Sequence, residues 1–247
     1  MGLGSNAPQA QGTFVDCKFL INSSAGLFTT SGRQLSALTF NDCYFELIYP
    51  SILPGATYTD TYFNNCKFIS KFSGQSSSRG IFEPSYGNLS ISNCFFDLRN
   101  TSHYTNENVF LLPNSRSHCD SIILENNTIL TATRPEPVGP GKNEVGTINS
   151  YLIKFVKYIS VDKDNNETAA APYTGALTII NNYCPQIKKI YTAVSQKFDK
   201  DGKFLSENEL LEESIQGAVK PFYPIIAQNT FNVQNSDANF PETNLNN

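Results

Sequence analysis

Oxygen-bearing side chains cluster at one point in the second half of the sequence, where they could bind a cation. Asp162 and Asp164 stand close to Asn166 and Glu167, and Ca²⁺ prefers carboxylate and amide oxygens as ligands. The cluster lacks the glycine of the EF-hand loop, so a calcium site and a solvated turn both remain open for Asp162 and Asp164. No cofactor other than calcium is expected.

Aromatic and cationic side chains alternate in a nearby segment that could contact sugar. Tyr151, Lys154, Lys157 and Tyr158 lie in a run rich in β-branched and aromatic residues, which predicts a strand. Tyrosine offers an apolar ring with a polar tip, and lysine supplies a cation, so these four residues are candidate glycan contacts. The alternative, in which the lysines form the solvated face of the strand, also stays open.

A third segment, 199–202, has the composition of a calcium loop but not its spacing. Lys197 falls at the position of the first ligand, which favours a hairpin turn. Ser206 and Glu209 then have the spacing of a capping box, which predicts one short helix that ends near Gln216.

A six-residue template that recurs along the chain must position these segments. Its pattern is apolar, polar, polar, Cys, any residue, apolar, and three later copies have Asn in place of Cys. A repeat of this kind is typical of a solenoid. The fourth-position residues of the copies are Cys17, Cys43, Cys66, Cys94, Asn127, Asn182 and Asn229.

The intervals between the copies are those expected of β-solenoid coils. The fourth positions are separated by 26, 23, 28 and 33 residues, and then by 55 and 47. We expect the interval of 55 to span two coils, with the skipped strands supplied by residues 148–161. The interval of 47 is expected to be one coil that carries an insertion.

Apolar and polar residues alternate on both sides of each copy, with a change of phase at a two-residue corner. This pattern keeps apolar side chains inward around a bend, and equivalent residues of successive coils would stack about 4.8 Å apart. The Asn residues of the column are expected to adopt the left-handed conformation and to bond to a neighbouring amide, and the Cys residues to be reduced apolar filler. A β-sandwich is the competing interpretation, but Asn-Gly and Asp-Gly hairpin turns are nearly absent from the repeat region.

Residues 89–98 and the equivalent blocks resemble the coils of right-handed parallel β-helix proteins of the pectin-lyase-like superfamily. The resemblance covers residues 13–234 and implies an all-β fold, a single solenoid of about seven to eight coils, with long corner loops at 73–87 and 131–146. It implies a β-helix domain at 13–235 with an insertion at 185–224, between tails at 1–12 and 236–247. The superfamily includes lyases, hydrolases, esterases, viral tailspikes and adhesins, so the resemblance alone implies no activity.

No residue of the chain is assigned a catalytic role. The chain has no Trp, which the pectate lyase signature contains, and the polygalacturonase signatures are absent from the sequence. His103 and His118 lie in polar segments, where a surface position is expected. We favour a non-catalytic virion or cell-surface module with a structural, adhesive or glycan-contacting role. The alternative is a polysaccharide lyase or glycoside hydrolase acting on an acidic or complex polysaccharide.

Composition disfavours other classes of partner. The formal charge is −4 and no basic run stands out, so nucleic acid is not expected. Six Cys without paired spacing disfavour a zinc site. No stretch approaches the roughly 18 apolar residues of a membrane span, and no signal peptide is visible at the start of the chain. We expect an extracellular, cell-surface or virion protein whose partners are a polysaccharide and a second chain, identical or not, that covers the solenoid ends.

Overall fold

The chain is all-β in the computed structural model, with parallel strands in its three main sheets and no helix among the residues described. The residues that the structure describes are 10–21, 35–48, 60–71, 75–76, 81–84, 86–99, 102–103, 107–113, 117–131, 149–170, 172–187, 189–209 and 224–231.

Two of the sheets have seven parallel strands each. Sheet 1 consists of β1 (Ala10–Val15), β3 (Leu35–Asn41), β5 (Asp60–Asn64), β8 (Tyr86–Ser92), β12 (His118–Glu125), β16 (Tyr173–Ile180) and β20 (Pro224–Ala227). Sheet 2 consists of β2 (Lys18–Ile21), β4 (Tyr44–Leu47), β6 (Lys67–Ser70), β9 (Phe95–Leu98), β13 (Thr128–Thr131), β17 (Tyr183–Cys184) and β21 (Thr230–Phe231).

A third sheet joins the later part of the chain. Sheet 3 consists of β11 (Glu107–Leu111), β14 (Asn149–Val161), β18 (Lys189–Phe198) and β19 (Phe204–Glu209), with β15 (Glu167–Ala170) paired to β14. Two short strands, β7 (Gln75–Ser76) and β10 (Ser102–His103), pair separately. We call a strand of sheet 1 together with the strand of sheet 2 that follows it a rung, so rung 1 is β1–β2 and rung 7 is β20–β21.

Two columns of large side chains fill the space between sheets 1 and 2, as the template predicts. The rings of Phe45 and Phe68 lie 4.4 Å apart with 8° between their planes, and those of Phe68 and Phe96 lie 4.4 Å apart with 7° between theirs. Rings of different columns meet edge to face, as Phe63 and Phe68 do at 5.4 Å. The columns are Phe14, Phe40, Phe63, Ile91, Leu124, Ile179 and Ile226 in sheet 1, and Phe19, Phe45, Phe68, Phe96, Ile129, Cys184 and Phe231 in sheet 2.

Aromatic side chains from two segments that follow strands of sheet 2 pack into the same core. Phe82, which bridges to Leu111, lies 5.6 Å from the ring of Phe63, and Phe110 of β11 lies 5.3 Å from the ring of Phe82. The prediction of a polar corner loop at 73–87 is wrong at Phe82, because that side chain is fully buried. Ile81 and Phe82 are both buried, but one adjacent apolar pair in a polar run gives no periodic signal that would reveal it.

Each corner turns at a residue in the left-handed conformation, and this residue is the third of the template, not the fourth as predicted. These exposed residues have φ between 52° and 56°, a region that Asn and Asp adopt more readily than other residues with a Cβ. The turn leaves the fourth side chain pointing inward. The corner residues are Asp16, Asp42, Asn65, Asn93, Asn126, Asn181 and Gln228.

The Asn residues of the fourth-position column form a buried ladder of hydrogen bonds. Asn127 Oδ1 accepts from the backbone N–H of Cys94 at 2.9 Å, and Asn182 Oδ1 accepts from the N–H of Asn127 at 3.0 Å. Asn127 Nδ2 donates to Asn182 Oδ1 at 2.9 Å and to the carbonyl of Ile91 at 2.8 Å. The expected bond to a neighbouring amide is therefore present, and it satisfies buried backbone groups that the corner leaves without strand partners.

The Cys residues of the column make the same contacts more weakly. Cys66 Sγ donates to the carbonyl of Phe40 at 3.3 Å, and Cys94 Sγ accepts from the N–H of Cys66 at 3.3 Å. The thiols thus replace the amides as weak donors and acceptors, in addition to filling volume as predicted. All six Cys are free, and burial raises the pKa of Cys43 above its usual value.

The interval of 55 residues between copies of the template corresponds to a single rung, not to the two coils predicted. Leu124 of β12 pairs directly with Ile179 of β16, and residues 149–161 form β14 of sheet 3. Part of the added length lies in β14, which is long and turns back through β15. The interval of 47 is one step with an insertion, as predicted, since Ile179 pairs with Ile226.

Two further predictions of local structure are wrong. Ser206–Glu209, predicted to open a helix, is the end of β19, which pairs antiparallel with β18. Pairing to a neighbouring strand outweighs the local capping pattern. Residues 10–12, assigned to the N-terminal tail, belong to β1, where Gly12 pairs with Leu38. The predicted C-terminal tail at 236–247 and the rest of the predicted helix lie outside the described residues.

Truncation of Phe68 tests the ring column. Phe68 is fully buried between Phe45 and Phe96, so we expect Phe68→Ala to lower the free energy of unfolding by about 3–5 kcal/mol in denaturant titration. Leu20→Ala is the control, since Leu20 is 59% exposed and its truncation should change stability by no more than about 0.5 kcal/mol. Equal effects of the two substitutions would contradict the stack.

Substitution of Asn182 tests whether the inner column acts through hydrogen bonds. Asn182→Ala removes the acceptor of the buried Asn127 N–H, which should cost about 1–3 kcal/mol for that group. Asn182→Cys should cost measurably less, because a thiol in this column accepts from the same backbone position in the preceding rung. Unfolding midpoints of the two variants at equal m-value give the comparison. Equal losses would mean that volume alone matters at this position.

Candidate functional site

Two adjacent hairpins extend sheet 3 beyond β11 and contain most of the candidate site residues. β14 and β18 run parallel from Tyr151 paired with Lys189 to Ser160 paired with Phe198. β15 returns antiparallel on β14, and β19 returns antiparallel on β18. We call the β14–β15 and β18–β19 pairs the twin hairpins.

The twin hairpins close with turns of the same construction. The Asp162 carboxylate accepts hydrogen bonds from the N–H groups of Asp164 at 2.8 Å and Asn166 at 2.9 Å. The Asp199 carboxylate accepts likewise from Asp201 at 2.9 Å and Lys203 at 2.8 Å. The predicted hairpin turn at 199–202 is therefore confirmed. Both sequences begin Asp-Lys-Asp and continue with a left-handed Asn or Gly. The two hairpins therefore form the same type of turn.

The predicted calcium ligands are engaged in the first of these turns. The side-chain amide of Asn166 donates to Asp162 Oδ2 at 3.0 Å, and this bond lowers the pKa of Asp162 below its usual value. Asp164 contributes its backbone N–H to the same carboxylate. Within the described ranges, no three His, Cys, Asp or Glu side chains come together in a group that could hold a metal ion. Calcium binding by Asp162 and Asp164 stays a prediction.

The four candidate glycan contacts do not share one exposed surface. Tyr151 and Lys154 are buried, at 9% and 4% exposure, whereas Lys157 and Tyr158 are half-buried. Side chains alternate along β14, so Lys154 and Tyr158 lie on one face and Lys157 lies on the other. The alternative prediction, a solvated face formed by both lysines, is wrong for Lys154.

The buried Lys154 ammonium pairs with a residue that sequence analysis did not select. Lys154 Nζ lies 3.0 Å from Glu207 Oε1, and Gln196 Nε2 donates to Glu207 Oε2 at 2.7 Å. Because Glu207 lies in the segment predicted as a helix, no pattern in the sequence indicated that it faces Lys154. The pair joins β14 to β19 across β18.

A second polar contact lies on the same face, nearer the body of the protein. Glu209 Oε1 accepts from Lys189 Nζ at 3.0 Å and from Thr192 Oγ1 at 3.3 Å. The hydrogen bond from Lys189 lowers the pKa of Glu209 below its usual value. This carboxylate is therefore ionised and paired at neutral pH.

The far end of this face is aromatic. The rings of Tyr158 and Phe198 are stacked at 4.6 Å, and the ring of Phe204 meets Phe198 edge to face at 5.6 Å. Phe204 and Leu205 are 52% and 48% exposed. We call Tyr158, Phe198 and Phe204 the aromatic tip. It offers ring surface to a ligand, and of its residues sequence analysis had selected only Tyr158.

Comparison of the chain with family models, with curated proteins and with solved structures finds no match in any of the three. Among the residues that the structure describes, no helix is long and apolar enough to cross a membrane.

Removal of the Glu207 charge tests the ion pair at the base of the twin hairpins. Glu207→Gln keeps the side-chain size and leaves the buried Lys154 ammonium without its carboxylate. We expect a loss of about 1–2 kcal/mol in unfolding free energy, less than for a fully buried pair because the Glu207 side chain is 32% exposed.

Glu167→Gln is the matched control for this prediction. Glu167 pairs with Lys197 on the same hairpins, but both side chains are more than a third exposed, so its loss should cost less than about 1 kcal/mol. A Glu207→Gln effect no larger than that of the control would mean that Lys154 does not depend on Glu207.

Proposed function

We propose that the chain forms one right-handed parallel β-helix of about seven coils and serves as a non-catalytic surface module that contacts glycan. The coil closure is supported by rungs 4 to 6, in each of which a strand of sheet 3 follows the strands of sheets 1 and 2. It is also supported by Phe82 and Phe110, which reach the ring columns of the first two sheets. The resemblance of the template to coils of the pectin-lyase-like superfamily supports the handedness.

The observation that carries the non-catalytic proposal is the structural use of the charged side chains. In the described segments, Lys154 and Glu207 tie β14 to β19, and Asp162 and Asp199 cap the hairpin turns. Arg99 donates two hydrogen bonds to Asp97, at 2.8 and 2.7 Å. A general acid or base must reach a substrate proton, and groups held in such contacts serve the fold instead.

Glycan contact is supported by the exposed ring surface. Sugar rings have apolar faces that pack on aromatic side chains, and the aromatic tip presents Phe204 at half exposure on a projecting sheet. On this proposal the module stands on a virion or a cell surface, with the rigid stack as a spacer and the hairpins as a point of contact.

The proposal includes a further chain, identical or not, at an end of the stack. In rung 1 the described residues Phe14 and Phe19 are half-buried, whereas Phe40 and Phe45 of rung 2 are fully buried. An end of a parallel stack has unpaired backbone groups as well as apolar side chains, and both favour a cover.

Incubation with a panel of acidic and neutral polysaccharides tests this function. Binding is followed by a glycan array, and turnover by the absorbance of unsaturated products and by a separate measurement of reducing ends. We expect binding to at least one polymer without release of product. Repeating the binding measurement with a calcium chelator tests the predicted calcium site in the same experiment.

Turnover of any polymer would overturn the non-catalytic proposal and favour a lyase, if the products are unsaturated, or a hydrolase, if only reducing ends appear. Absence of binding to the whole panel would overturn the glycan-contacting role and leave a structural or adhesive one.

A further inference from the structure

The outward face of sheet 2 carries a column of side chains that alternates from rung to rung. The column is the fifth position of the template, between the inward Cys or Asn and the inward Phe. Cations occupy rungs 1 and 3, and aromatic rings occupy rungs 2, 4 and 6. Threonine occupies rungs 5 and 7. In rung order the residues are Lys18, Tyr44, Lys67, Phe95, Thr128, Tyr183 and Thr230.

Each lysine of the column packs over the ring of the next rung. Lys18 Nζ lies 5.4 Å from the centroid of the Tyr44 ring, and Lys67 Nζ lies 5.7 Å from that of Phe95. Lys18 and Lys67 are exposed, so their stems lie along apolar surface while their ammonium groups reach water. A cation in one rung that packs over a ring in the next rung therefore occurs twice in this column.

The next outward column repeats with the same period. Acids stand in rungs 2 and 4, beside the rings, and aliphatic side chains stand in rungs 1, 3 and 5. Lys18 Nζ lies 3.6 Å from Glu46 Oε2, and Lys67 contributes to lowering the pKa of Asp97 after the larger effect of Arg99. The column is Leu20, Glu46, Ile69, Asp97 and Leu130.

The repeat of this surface is two rungs long. Neighbouring strands lie about 4.8 Å apart, so equivalent groups recur at roughly 9.6 Å along the stack. A disaccharide unit of an extended, β-linked polysaccharide has about this length. Tyr44, Phe95 and Tyr183 would then meet equivalent sugars of successive units.

The two outward columns are balanced in charge, because Lys18 and Lys67 face the acids Glu46 and Asp97. Exposed Lys71 and Arg99 follow the columns at the ends of β6 and β9, and exposed Asp16 and Asp42 precede them at the corner. The cations in rungs 1 and 3 match a polymer with one negative charge per two sugars. Cross-strand pairing explains why a cation lies beside a ring, but it does not require rings on three alternate rungs.

We propose that this face, defined by Lys18, Tyr44, Lys67 and Phe95, binds a polysaccharide with a disaccharide repeat that carries one carboxylate. The polymer runs along the stacking direction of sheet 2, its sugars pack on the rings, and its carboxylates meet the lysines. The proposal rests on the glycan-contacting function above and adds a contact on sheet 2 to the one proposed at the aromatic tip.

Binding of defined oligosaccharides tests the proposal. The probes are octasaccharides of hyaluronan and chondroitin, which share a β-linked disaccharide repeat with one carboxylate, and an uncharged cello-octasaccharide of equal length. Isothermal titration with the full chain should show that at least one acidic probe binds and the neutral one does not. Affinity should fall with added salt, because exposed charges are screened.

The variants are Phe95→Ala, Lys67→Gln and the conservative Phe95→Tyr. Phe95→Ala and Lys67→Gln should each weaken binding roughly tenfold, the effect of removing one important contact, whereas Phe95→Tyr should retain it. Tyr62→Ala is the matched control, because Tyr62 is a half-buried outward residue of sheet 1 in rung 3. Thermal unfolding of each variant excludes loss of fold as the cause.

The outcomes separate this inference from the broader function. Binding that is lost in Phe204→Ala, but not in Phe95→Ala, would overturn the sheet 2 site and leave a glycan-contacting module at the aromatic tip. Equal binding of polyglutamate and of the acidic octasaccharides would reduce the site to charge attraction and overturn the sugar assignment. Failure of all the acidic octasaccharides to bind would overturn the inference even if another glycan binds.

Discussion

Register between neighbouring rungs is the constraint on which the rest of the structure depends. The side-chain period of a strand is two, so a slip of one residue would turn every inward Phe to solvent. The left-handed third residue of the template sets the residue at which each strand of sheet 1 ends. The fourth residue sets the register of its rung, because it forms hydrogen bonds to the rungs on either side. Only one register therefore keeps the rings stacked and the buried amide groups hydrogen-bonded.

The two halves of the stack meet this constraint in different ways. In rungs 1 to 4 the inner column is Cys and the flanking columns are almost entirely Phe, whose rings stack from rung to rung. From rung 5 onward most of the rings give way to Leu, Ile and Cys184, and the inner column becomes Asn. Stronger hydrogen bonds thus accompany the loss of ring contacts, since an amide bonds better than a thiol. Cys and Asn can occupy the same position of the template because both side chains form hydrogen bonds to the backbone of neighbouring rungs.

Sheet 3 is where the repeat departs from regularity. β14 and β18 continue past the end of β11 and turn back through β15 and β19, which produces the twin hairpins without adding a rung. Within the extension, Lys154 pairs with Glu207 and Lys189 pairs with Glu209, so that both ion pairs tie β19 to the parallel strands. The aromatic tip of sheet 3 and the outward columns of sheet 2 are two separate surfaces.

The repeat could be predicted from the sequence alone. Phe40, Phe63 and Ile91 share an offset from the inner column, and a constant offset is enough to predict that they stack, because inward positions are set by local alternation. The sequence also predicted the turn at 199–202, whose Asp and Gly fix the backbone locally. It selected Tyr158 as a candidate glycan contact, which stays a prediction, but it did not select Phe204 or Glu207. Three features are visible only in the folded chain: residues 124 and 179 are neighbours, Ser206–Glu209 is a strand, and Lys154 is buried. Each of these depends on which distant strand lies alongside, and pairing between distant segments leaves no mark in a local pattern.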